Sequence, residues 1–127
     1  MSMTTANSVL TRLTIAFAGL IGAVGVMAAA GASHGGDGGN LGPVAMICLA
    51  HGPALLALGL SSVQGRLLRA GAVLLGCGTL VFVGDLLARH FFGHSAFPMA
   101  APIGGVGMIG GWLSIVAAGL FGRAVPK

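Results

Sequence analysis

The chain has 127 residues, of which 56% are hydrophobic and 6% charged, with a formal net charge of +4. A soluble domain carries about a quarter charged residues, so this composition excludes an ordinary water-facing surface. With a mean hydropathy of +1.01 it implies that lipid is the solvent. The 24 glycines follow no triplet period, which excludes collagen, and the hydrophobicity excludes disorder.

Four apolar stretches follow one another, over about 13–30, 43–60, 67–88 and 101–121. Each is near the roughly 20 residues that cross about 30 Å of hydrocarbon as an α-helix. In lipid every backbone polar group needs an internal partner, and these runs lack the alternation of a membrane strand, so they are predicted helices. The expected fold is all-α, one integral membrane bundle of four transmembrane helices over residues 1–127. The first run, with Arg12 before it and Ala28-Ala29-Ala30-Gly31-Ala32-Ser33 at its end, also resembles a cleavable signal peptide. It is long for that role and rich in Gly rather than Leu, so it is read as a retained helix. The breaks between runs are short: Gly31–Gly42 with His34, Asp37 and Asn40, then Ser61–Arg66, then Phe91–Ala100 with Gly93, His94 and Pro98. No internal sequence repeat is evident.

The basic residues are Arg12, Arg66, Arg69, Arg89, Arg123 and Lys127. They form no stripe, so nucleic acid is not an expected partner. They lie near the ends of apolar runs, where they report topology. With four crossings all but Arg89 fall on one side, which predicts cytoplasmic N- and C-termini in a bacterial inner membrane. The loops with His34, Asp37, His90 and His94 then face outward.

Helices in lipid associate by close packing of small residues. Small-residue seams are predicted at Ala18, Gly22, Gly25 and Ala29; at Ala50, Ala54, Ala57 and Ser61; and at Gly104, Gly107, Gly111, Ser114 and Ala118. This spacing favours a left-handed bundle with crossing angles near about +20°. Gly71, Gly78 and Asp85 are spaced by heptads, which places Asp85 on the packed face of the third helix. Trp112 is mid-helix, and it is expected to fill space beside the glycines. Cys48 and Cys77 are expected to be small buried hydrophobes.

Asp85 is the most informative polar residue, because an ionisable group within a membrane faces the interior with a partner. Arg89 stands four residues on, at ion-pair spacing along a helix. His51 lies near the middle of the second run, and a modest tilt would bring it to Asp85. Asp85, Arg89, His51 and His34 are therefore the candidate polar site; the alternative is a structural ion pair that fixes helix register. The loop histidines with Asp37 lack compact metal spacing, and GxSxG and a phosphate-binding Gly loop are absent. No catalytic residue, cofactor or metal is assigned, and an enzyme is not expected.

The segments ending in Gly31-Ala32-Ser33-His34, then Ala50-His51-Gly52-Pro53-Ala54-Leu55-Leu56, then Phe82-Val83-Gly84-Asp85-Leu86, then Ala101-Pro102-Ile103-Gly104-Gly105 with Gly111-Trp112, carry a resemblance. In order and spacing they resemble the YgdD-like family of small bacterial inner-membrane proteins, related to transmembrane protein 256 of animals. The resemblance spans about Leu13 to Leu120 and implies a four-helix membrane protein with no established activity. The expected role is a non-enzymatic accessory or assembly partner, in a larger membrane complex or a homo-oligomer. The alternative is a small transporter, channel or ligand-binding bundle built on Asp85, Arg89 and His51.

Overall fold

The computed structural model describes residues 3–35, 38–63 and 65–122, so Asp37, Arg123 and Lys127 of the topology argument lie outside the described residues. Four helices account for the fold: α1 Met3–His34, α2 Leu41–Leu60, α3 Arg66–Phe92 and α4 Ala100–Phe121. All four are long and apolar enough to cross a bilayer, and together they form a multi-pass membrane bundle. α1 begins at Met3, not near Leu13, because nothing in Met3–Leu10 breaks a helix and Arg12 is tolerated within one. α3 runs on through Arg89 and His90 to Phe92. It stops where Gly93 takes the left-handed conformation (φ 75°) and its N–H donates to the Arg89 carbonyl.

The helices pack as two hairpins, α1 with α2 and α3 with α4, joined through α2 and α3. α1 reaches α3 at a few points, and among the described residues its backbone does not approach α4. The helices thus form a zigzag row with a groove on each side. Leu55 and Leu75 are fully buried where the inner pair meets, and Ala18, Ile21, Val44, Cys48, Val83 and Met108 are among the other buried core residues.

Within α3–α4 the contact is backbone on backbone. A Cβ at Gly104 would stand 2.5 Å from the Phe82 nitrogen, and one at Gly78 would stand 2.7 Å from the Met108 nitrogen. The seams expected on α1, α3 and α4 face their partners except at Ala118, which lines the space between α2 and α4, and Ser114 Oγ donates to the Leu67 carbonyl at 2.7 Å. The seam expected on α2 does not. Ala50 and Ala57 are exposed, while Ala45, Cys48, Gly52, Leu55 and Gly59 face inward. Both stripes have the same spacing on a helix that is apolar all round. Gly52 decides between them, since a Cβ there would lie 3.2 Å from the Gly22 nitrogen and 3.3 Å from the Ala18 oxygen.

Each hairpin is held by three close approaches. Gly59 against Ile15, Gly52 against Gly22 and Cys48 against Gly25 hold the first; Ile115 against Gly71, Met108 against Gly78 and Gly104 against Phe82 hold the second. In each hairpin a large side chain on one helix meets a glycine on the other, as in Gly59–Ile15 and Ile115–Gly71.

Candidate functional site

Asp85 sits one turn before Arg89 near the end of α3, on the face turned to α4, and has no exposed surface. Its Oδ2 accepts a hydrogen bond from Arg89 Nε at 2.9 Å. Its Oδ1 accepts one from the Ala96 backbone N–H at 2.8 Å, in the loop that returns the chain to α4. The first turn of α4 follows that loop, and a carboxylate near a helix N-terminus meets the positive end of the helix dipole. Asp85 thereby ties the end of α3 to the loop that leads into α4. Met99, at the N-cap of α4, is held at φ 67°, in the left-handed region that a side chain disfavours.

His51 is 7% exposed and makes a separate set of contacts. Its Nδ1 lies 2.9 Å from the Ile47 carbonyl oxygen, and Trp112 Nε1 donates to its Nε2 at 3.2 Å. A carbonyl only accepts and an indole N–H only donates, so these two contacts suit the tautomer with its proton on Nδ1. The rings meet edge to face with centroids 5.8 Å apart. This pair ties α2 to α4, two helices whose backbones do not approach each other among the described residues.

Asp85 and Arg89 are thus brought together as their spacing predicts. His51 is bonded to Ile47 and Trp112 and not to either of them. His34 ends α1, is exposed, and makes no hydrogen bond to Asp85, Arg89 or His51. Asp85 is held by the α3–α4 loop while His51 turns to Trp112, so the two groups share no hydrogen bond. His90 is in the last turn of α3 and His94 lies beyond Gly93; among the described residues no three of His, Cys, Asp or Glu converge.

Trp112 is not a filler beside the glycines: it is 43% exposed, at the rim of the α2/α4 groove, and supplies the donor to His51. A lone Trp within a span needs a partner for its N–H, and His51 was the acceptor to look for. Cys77 also departs from expectation, being exposed, whereas Cys48 is buried; a thiol on a lipid-facing helix surface needs no burial in protein. Sequence reasoning passed over Thr79, which is fully buried with a hydroxyl that finds no partner among the described residues. It also missed Asn7, whose Oδ1 accepts from Arg69 Nη1 at 2.8 Å across α1 and α3.

The family model described as "Protein of unknown function (DUF423)" matches residues 21–105, from the middle of α1 into the first turns of α4. The chain belongs to this family. The match takes in His34, His51, Asp85 and Arg89 and stops short of Trp112. No curated protein matches the chain, and no solved structure does. Membership in DUF423 therefore brings no activity with it.

Proposed function

We propose that this DUF423 protein is a non-enzymatic component of the bacterial inner membrane that receives a transmembrane helix of a partner, as an accessory or assembly factor. The observation that carries the reading is the groove between α2 and α4. It has a volume of about 550 Å³, and small residues line it: Ala54 and Ala57 on one wall, Ala118 and Gly119 on the other, with Trp112 at its rim. Small side chains let a further helix approach closely, which is the main source of helix association in lipid. The small-residue stripe of α2 that turns away from α1 thereby has a use. A photo-crosslinker at Ala57, followed by mild-detergent purification and mass spectrometry, tests the proposal. A reproducible membrane-protein adduct that Ala57→Trp abolishes supports it. A monomer with no protein adduct refutes it, and an adduct to a second copy makes the protein a homo-oligomer instead.

The transporter or ligand-site alternative has less support. Both Asp85 oxygens and both His51 nitrogens are engaged within the protein, and the two groups are bonded to different partners. The proposal retains the YgdD-like naming that the motifs suggest. It also places both termini in the cytoplasm. Arg66 and Arg69 lie with the N-terminal part of α1, which carries Arg12, at one end of the bundle, and Arg89 lies at the other. Reporter fusions after Phe121 and within 94–98 test the orientation, the first expected to read cytoplasmic and the second external.

A further inference from the structure

The end of the bundle that carries Arg66 and Arg69 holds a polar pocket. Its volume is about 40 Å³, and Asn7, Thr11, Thr14, Ser61 and Arg69 line it. A single water needs about 10–15 Å³ on this measure, so the space suits a group larger than one water. Arg69 reaches across from α3 and is fixed there by its bond to Asn7. Its guanidinium has further N–H donors, and the one carboxylate among the described residues, Asp85, is at the opposite end of the bundle and bound to Arg89. A partly buried arginine beside an amide and the hydroxyls of Thr11 and Ser61, with no acid beside it, is complementary to an anion; the Thr14 hydroxyl instead donates to the Leu10 carbonyl.

The pocket does not end in protein. Leu10, Thr14 and Ala72 line it and also line the groove between α1 and α3, which has a volume of about 250 Å³ and Leu55 at its floor. From Ala72 to Leu80 that groove runs roughly 12 Å into the membrane, at 1.5 Å per residue. The Phe17 ring comes within 3.7 Å of where a Cβ on Gly76 would stand, and the rest of the lining is apolar, as a methylene chain requires.

We infer that this end of the protein binds an anionic phospholipid, with its phosphate against Arg69, Asn7 and Thr11 and an acyl chain in the α1/α3 groove. The polar pocket and the apolar groove share a wall, as the head and tail of one amphiphile require. The inference goes beyond the partner-helix proposal and uses the other groove. It depends on the membrane fold, and on the proposed orientation only for which leaflet supplies the lipid.

The test is native mass spectrometry of the full-length protein in mild detergent, titrated with dioctanoyl phosphatidylglycerol, dioctanoyl phosphatidylcholine or inorganic phosphate. The wild type should bind phosphatidylglycerol at least about tenfold more tightly than phosphatidylcholine, because both carry the phosphate but only choline adds a cation that Arg69 repels and that cancels the net charge of the lipid. Arg69→Gln should erase that preference, while Arg66→Gln, an exposed residue outside the pocket, should keep it. Gly76→Val should weaken both lipids and leave their ratio intact, because it fills the groove and not the pocket. Equal binding of the two lipids by the wild type overturns the inference, and so does a preference that survives Arg69→Gln. Inorganic phosphate that displaces phosphatidylglycerol at equal concentration makes this a free-anion site and overturns the lipid assignment. Should Arg69→Gln fail to fold, the wild-type lipid ratio and Gly76→Val still decide. A failure here leaves the Ala57 crosslinking result untouched.

Discussion

Replacing Gly104 by Ala adds one methyl group at the tightest point of the α3–α4 contact. That Cβ would lie 2.5 Å from the Phe82 nitrogen, 2.8 Å from the Gly78 oxygen and 2.9 Å from the Phe82 Cα. All three are backbone atoms of a helix, so no rotamer change makes room. Ordinary contact begins near 3.4 Å, so α4 must retreat by about 1 Å. The retreat loosens Met108 on Gly78 and Gly111 on Leu75, and it strains the loop held by Asp85. Overpacking of this kind costs about 1–3 kcal/mol, and a backbone clash belongs at the upper end. Ala also gains about 1 kcal/mol of helix propensity over Gly. Gly105→Ala, one residue on, isolates that gain, since a Cβ there meets nothing within 4 Å. The two variants should therefore differ by about 3 kcal/mol, with Gly104→Ala the less stable. The assay is thermal unfolding in detergent followed by a thiol-reactive fluorophore in a Cys77→Ser background, where buried Cys48 reports unfolding. If Gly104→Ala is as stable as Gly105→Ala, the helices do not meet through their backbones and the packing argument fails.

Asp85 should rank its substitutions by the bonds each removes: in the same unfolding assay Asp85→Ala should be the least stable, then Asp85→Asn, which still accepts from Ala96, then Arg89→Gln. A ranking with Arg89→Gln lowest would mean that the ion pair, and not the loop bond, is the anchor. Trp112→Phe strips the donor from His51 Nε2 and should cost about 1 kcal/mol, with no added loss when His51→Ala is already present; additive losses would show that the two side chains do not act as a pair. Met99→Gly should stabilise the protein by about 1 kcal/mol, because it relieves a left-handed backbone at a side chain that is 65% exposed; a fall in melting temperature would contradict that account.

The four spans were legible because their cause is the solvent: a run of apolar side chains in lipid has to satisfy its own backbone, and a helix is the way to do it. The heptad from Gly71 through Gly78 to Asp85 was legible for a related reason. An acid four residues before an arginine, in heptad register with two glycines, belongs on the packed face. Helix ends were less legible, since a stretch such as Met3–Leu10 can extend a helix out of the membrane without any apolar signature. Tertiary structure alone decided which stripe of α2 packs, because Ala50–Ala54–Ala57 and Cys48–Gly52–Gly59 share one periodicity and differ only in how closely a neighbouring backbone comes. It alone decided that Asp85 would take its second bond from Ala96 and His51 its partner from Trp112. Those bonds depend on where a loop returns and on which helices lie side by side, and neither is encoded in the spacing of residues along one helix.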